Sequence, residues 1–171
     1  MLVPDHEIRR LCRQHSLVVP YVEEHLNPTS IDVTIGGLIM VEVEHTAELQ
    51  PLDIGHYTQD NPYWVAPGEF FLAATQETFN LPDYIAAQFV LKSSRGREGW
   101  DHAEAGFGDP GWHKSKLTME LKNIRRYHSL PIWPGLRIGQ MKFILVSGTV
   151  EKSYAVTGRY NNDETVMPSK G

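Results

Sequence analysis

Between positions 91 and 100 the chain reads LKSSRGREGW. Ser93, Ser94, Arg95 and Arg97 set two hydroxyls and two guanidinium groups close together, directly after Lys92 and an apolar run. Two roles suit that composition. The groups can lie solvated in a plain loop. Alternatively, hydroxyls and backbone amides at a strand end, with Lys92 and Arg97, grip the oxygens of an anion through charge-assisted hydrogen bonds. The chain carries no GxxxxGK[ST], so this is not the usual phosphate loop. Neither GxSxG nor SxxK accompanies the serines, which leaves a serine nucleophile without support.

Two carboxylates stand downstream. In KLTMELKN, residues 116–123, strand alternation turns Leu117, Met119 and Leu121 toward a core and Thr118, Glu120 and Lys122 away from it. Glu120 is then either a solvated outer-face carboxylate or a pocket group. In a pocket, partial desolvation raises its proton affinity and fits it for proton transfer. In AGFGDPGW, residues 105–112, Asp109-Pro110-Gly111 is a turn signature. It either does no more than lead into the Glu120 strand, or presents Asp109 to a sugar hydroxyl beside Trp112.

The elements that must position these groups are mostly strands. SIDVTIG alternates Ile31, Val33 and Ile35 against Asp32 and Thr34, and VEVEH at 41–45 alternates too. EFFLAATQETF, YIAAQFVLK, KLTMELKN and MKFILVSG follow, separated by turn chemistry at Gly36-Gly37, Ala66-Pro67-Gly68, Leu81-Pro82-Asp83, Asp109-Pro110-Gly111 and Trp133-Pro134-Gly135. Near the start, PDHEIRRLCRQH places Ile8, Leu11 and Cys12 on one helical stripe behind Pro4 and Asp5. The expectation is a mostly β protein, an antiparallel sandwich or barrel with a short N-terminal helix. One domain over 1–171 is expected, with 153–171 a polar tail that is either disordered or a flap over a ligand.

Composition narrows the function. A chain of 171 residues with net charge −5 argues against a general binder of nucleic-acid polymers, yet a few converging arginines can still hold a small anion. No apolar stretch approaches the ~18 residues of a membrane helix. The opening MLVPDHEIRRL carries charges where a signal peptide has its apolar core, so a cytoplasmic location is expected. The single cysteine, Cys12, excludes an intrachain disulfide and a multi-cysteine metal site. The eight histidines, His102 among them, show no HxxxH or HxH spacing and read as dispersed surface residues.

The run PGEFFLAATQETFNLPDYIAAQFVLKSSRGREGW, followed by HAEAGFGDPGW, LTMELKN and LPIWPGLRIGQMKF, resembles the dCTP deaminase branch of the dUTPase-like superfamily. With SIDVTIG included, the resemblance covers roughly residues 5–160 and keeps the family's motif order. It implies a distorted β-barrel of the dUTPase-like type, assembled as a homotrimer with active sites between subunits. Glu120 matches the glutamate that takes a proton from the attacking water and passes protons toward the departing ammonia. Ser93 matches the serine that places that water and the base, and Arg97 the supporting arginine. Lys92, Ser94 and Gln140 are implied near the triphosphate, Asp109 at the sugar with Trp112 beside it, and Tyr154, Arg159 and Tyr160 in the C-terminal flap. Mg2+ would ride on the triphosphate, bound by no protein side chain.

Zinc is not expected, because zinc deaminases need an HxE…PCxxC set that one cysteine cannot supply. The activity this implies first is hydrolysis of a cytosine deoxynucleotide, dCTP to dUTP and ammonia. A bifunctional dCTP deaminase and dUTP diphosphatase comes next, then a pure dUTPase. In the dUTPase pattern Asp109 takes the place of the water-activating aspartate, but Trp112 stands where that pattern has tyrosine. A non-catalytic nucleotide-binding regulator completes the alternatives.

Overall fold

The computed structural model describes residues 1–171. The chain runs through α1 (Asp5–His15), β1 (Val18–Val19), a 3-10 turn (Glu23–His25), β2 (Leu26–Asn27), β3 (Ser30–Val41), β4 (Gln50–Asp53), β5 (Tyr63–Val65) and β6 (Phe70–Asn80). It continues through β7 (Ile85–Leu91), α2 (Ser93–Glu98), β8 (Trp100–His102), β9 (Phe107–Gly108), β10 (His113–Asn123), β11 (Leu130–Ile132), β12 (Arg137–Leu145) and α3 (Tyr154–Thr157). The architecture is mostly β, as the alternation predicts. No helix is long and apolar enough to cross a membrane.

The main antiparallel sheet runs β8-β10-β6-β3-β12-β7-β9. Its two end strands, β8 and β9, are separated in sequence only by residues 103–106. A link that short reaches at most ~18 Å, so the sheet must curl until its ends meet. They do: the Phe89 ring of β7 lies 4.6 Å, centroid to centroid, from His102 of β8, and Phe89 N donates to Gly106 O at 2.7 Å. The curl encloses the apolar faces of the long strands. Ile31, Val33 and Ile35 are buried inside, as are Leu117, Met119 and Leu121. Ile8, Leu11 and Cys12 seat α1 on the same core.

Three local expectations are corrected. Gly36-Gly37 is not a turn but lies within β3. There β3 changes partners, from β12 along its first half to β6 and β4 along its second, with a register irregularity between Ile35 and Ile39. A Cβ on Gly36 would stand 3.1 Å from Ala74 O, so the close approach at this corner favours glycine. VEVEH does not continue as a strand beyond Val41. Val41 pairs with Gln50, which makes 42–49 the exposed loop of a β3–β4 hairpin. LKSSRGREGW is not a loop at its centre: Ser93–Glu98 forms a short helix, stopped by Gly99 in the left-handed region at φ 111°.

The tail of 153–171 lies along β10. Lys116 N donates to Asp163 O at 2.8 Å, and Met167 N to Thr118 Oγ1 at 3.1 Å. Val166 is buried against Leu72 and Ala74 in a small apolar cluster on the outer side of the sheet.

Candidate functional site

β10 carries the centre of the site. Its alternation leaves Lys116, Thr118 and Glu120 on the face away from the core, where they line a cavity of ≈ 980 Å³. Asp109 and Trp112 enter the same cavity from the turn before β10, and Tyr154 and Tyr160 from the tail. The turn is held by Trp112 N donating to Asp109 O at 3.0 Å, with Pro110 second and Gly111 third at φ 91°. That arrangement leaves the Asp109 side chain exposed. Trp112 is committed structurally: its ring stacks 5.5 Å from Phe79, and Nε1 donates to Tyr160 O at 2.8 Å, tying the tail down. Tyr154 OH accepts from Tyr160 N at 3.4 Å.

Glu120 has one polar side chain beside it, the imidazole of His102. Glu120 Oε2 lies 3.3 Å from His102 Nε2, with side-chain exposures of 26% and 6%. Both atoms are buried, and neither makes a hydrogen bond to the other or to any third group. His102 is therefore not a surface residue, as its dispersed spacing suggested. β8 pairs with the end of β10, Leu121 opposite His102, and Ala103 N donates to Glu120 O at 3.2 Å, so backbone pairing brings the imidazole to the carboxylate.

The hydroxyl–guanidinium cluster lies elsewhere on the chain. Lys92 Nζ spans both oxygens of Asp32 at 2.6 Å each, and Asp32 also receives Asn27 Nδ2 at 2.9 Å with Arg137 Nη1 at 3.5 Å. Asp32, expected on an outer face, is 3% exposed. Gln140 pairs with Asp32 across β12 and β3 and accepts from Ser30 Oγ at 3.0 Å. Beside this group α2 presents Ser93, Ser94 and Arg97, all exposed. Arg159 is exposed in the tail, where its carbonyl accepts from Lys170 Nζ at 2.9 Å.

The chain thus gathers Glu120, Asp109, Trp112, Tyr154 and Tyr160 at one cavity, and Lys92 and Gln140 around Asp32. Lys92, Ser93, Ser94, Arg97, Gln140 and Arg159 do not line the Glu120 cavity. Electrostatics separates the two regions as well. The cavity is lined by Glu48, Asp109, Glu120 and Asp163 against one ammonium, Lys116. Asp163 is already paired with Lys170 Nζ at 2.7 Å. Such a lining can hold a neutral, hydrogen-bonding ring beside a carboxylate. The Lys92, Arg95, Arg97 and Arg137 region suits anionic oxygens. Sequence reasoning missed Lys116 and His102. Extending the alternation of 118–122 by one step finds Lys116; His102 shows only once β8 is paired.

Comparison with known proteins gives a consistent family. A family model described as dCTP deaminase-like matches residues 2–146. The chain is similar to a protein of Pseudarthrobacter chlorophenolicus named dCTP deaminase, dUMP-forming, at 37% identity over 174 aligned positions, 95% of this chain and 88% of that one. A protein of the same name from Methanopyrus kandleri is 35% identical, over 99% of this chain and 95% of that one. Among solved structures, the 2'-deoxycytidine 5'-triphosphate deaminase of Agrobacterium tumefaciens shares the fold at a TM-score of 0.69 and 18% identity, over 85% of this chain. This chain spans 48% of that one.

Proposed function

The chain belongs to the dCTP deaminase-like family, and on that premise we propose that it hydrolytically deaminates a cytosine deoxynucleotide, dCTP first. Water adds to C4 of the base and the amino group leaves as ammonia, giving a uracil nucleotide. Glu120 takes the proton of the attacking water and returns it to the departing nitrogen. Water is a weak nucleophile, and general-base help of this kind contributes ~10²- to 10⁴-fold. Ser93 places the water and base, and Arg97 supports it. Lys92, Ser94 and Gln140 face the phosphates, Asp109 the sugar, and Tyr154, Arg159 and Tyr160 close the tail over the nucleotide.

Two features refine the reading. The relatives are named dUMP-forming, which favours the bifunctional alternative over release of dUTP. In the second step water attacks the α-phosphate and pyrophosphate leaves, with Asp109 as the carboxylate that activates that water. The second feature is the separation of the acidic Glu120 cavity from the basic α2 region. A complete site needs both, so a neighbouring copy in a homotrimer supplies Ser93 and Arg97 to the Glu120 of the next. No three of the chain's His, Cys, Asp or Glu side chains converge as metal ligands. Mg2+ would enter with the substrate, on phosphate oxygens.

The observation that carries the proposal is the convergence of Glu120 and Asp109 on one cavity. The test is incubation with dCTP, dCMP, dUTP and CTP plus Mg2+, with chromatography of the nucleotides and an ammonia assay. Ammonia, dUMP and pyrophosphate from dCTP are expected. Pyrophosphate from dUTP with no ammonia from any cytosine nucleotide makes the protein a dUTPase. No product from any of the four, with binding retained, makes it a regulator.

A further inference from the structure

We propose that His102 is the positioning residue for Glu120, and that it acts through one tautomer, with its proton on Nε2. The proposal rests on the deaminase reading above and assigns a role inside that site. Glu104 N donates to His102 Nδ1 at 3.1 Å. A nitrogen that accepts a backbone N–H carries no proton of its own, so Nδ1 is the bare nitrogen and a neutral ring must hold its proton on Nε2. A doubly protonated ring would set Nδ1–H against the Glu104 N–H. Glu104 is held for this contact in the left-handed region, φ 60°, which few residues other than glycine adopt.

The Nε2 proton has one neighbour to meet. Glu120 Oε2 lies 3.3 Å away, within reach but out of line with the ring N–H, so no hydrogen bond is formed, and neither atom has another partner. A small rotation of the Glu120 carboxylate aligns the pair when a ligand enters, as poorly aligned hydrogen bonds at ligand-free sites do. The ring cannot easily turn aside: it is packed against Phe89, centroid to centroid 4.6 Å, at 6% side-chain exposure. Once aligned, His102 Nε2 holds Oε2 as an acceptor. With Oε2 buried, Oε1 is left as the oxygen that faces the cavity and exchanges protons with water and the leaving nitrogen. One carboxylate oxygen is fixed and the other is free, which orients the base without occupying it.

The test uses two substitutions and one spectrum. His102→Phe keeps a flat ring on Phe89 and loses the donor; His102→Gln keeps a donor of similar reach. With dCTP and Mg2+ as substrate, His102→Phe is expected to lower kcat roughly 10- to 100-fold, the scale of a hydrogen bond to a charged group, with KM nearly unchanged. His102→Gln is expected to recover most of that loss. Parental kcat in His102→Phe, or equal impairment of both variants at equal melting temperature, would overturn the proposal. The tautomer is read separately from long-range nitrogen–proton correlations of the histidine rings in the wild-type protein, with His102→Gln identifying the His102 signal. Protonated Nε2 is expected, and protonated Nδ1 overturns the assignment whatever the turnover. If the wild type releases no ammonia while His102 shows the Nε2 proton, the deaminase reading falls and the His102–Glu120 contact stands.

Discussion

β3 and β10 are long central strands that both turn an apolar face to the same core, and they differ in the fate of the opposite face. On β3 that face is buried as well, and its polar groups are matched: Ser30 with Gln140, Asp32 with Lys92, and Thr34 with Glu77. On β10 it opens to a cavity, where Glu120 has no closer polar side chain than His102 at 3.3 Å. Fully matched buried polar groups hold a strand in one arrangement, because breaking any pair strands the other member. A carboxylate half out of water, with one oxygen unclaimed, is available for chemistry. Similar residue types therefore serve structure on one strand and, under the proposed function, reactivity on the other.

The sharpest way to break this contrast is Glu120→Gln. Deamination is expected to fall ~10²- to 10⁴-fold, while nucleotide binding persists and the melting temperature stays within ~2 °C of the parent. A variant that deaminates at the parental rate removes Glu120 from the mechanism. Next comes Lys92→Met, which acts on the β3 side. It leaves Asp32, 3% exposed, with only Asn27 and a longer contact to Arg137. Loss of one member of a buried pair costs ~3 kcal/mol, a fall of roughly 6–12 °C in melting temperature. A parental melting curve would show that Arg137 and Asn27 suffice. Arg97→Ala, five positions on, separates the roles within one segment. The exposed guanidinium enters none of the chain's ion pairs, so stability should be unchanged. Nucleotide affinity, measured by titration calorimetry, should weaken roughly 10- to 100-fold through loss of a charge-assisted contact. Unchanged affinity would exclude Arg97 from the site.

How much of this the sequence discloses depends on whether the signal is local. Leu117, Met119 and Leu121 are legible because period-2 alternation needs no knowledge of neighbouring strands, and the same period places Glu120 opposite them. Asp109-Pro110-Gly111 is legible as a turn because proline and glycine each preset their own backbone angles. β3 defeats the same reasoning. Alternation marks Asp32 and Thr34 as outward, but the sheet curls and α2 follows β7, so partners close over that face from Lys92 and Glu77, 60 and 43 positions away. Gly36-Gly37 carries a turn signal that is satisfied instead by a corner inside a strand. VEVEH alternates by chance of composition in a hairpin loop. His102 is hidden for the same reason as Asp32: nothing within its own segment points to Glu120 until β8 and β10 are paired.

The smallest expected effect lies at Glu77, on the matched side of the contrast, and it asks how complete the matching is. Thr34 N and Thr34 Oγ1 donate to the two Glu77 oxygens at 3.0 and 2.8 Å. Burial nevertheless pushes the Glu77 carboxyl above its ordinary 4.5, outweighing the pull of Thr34 and of the nearby His25 in the other direction. The folded state then binds this proton more tightly than the unfolded state does. The stability that Glu77 contributes is present in full below the unfolded value of 4.5, declines as pH rises through the raised folded value, and is level above it. Glu77→Gln keeps an acceptor for Thr34 and is neutral at every pH. It should melt a few degrees above the parent at neutral pH, and that advantage should disappear as pH falls to the ordinary carboxylate range. Melting curves of both proteins across that range give the test. An advantage that does not change with pH would mean that the two Thr34 hydrogen bonds already compensate the charge, and that β3 leaves no carboxylate under strain.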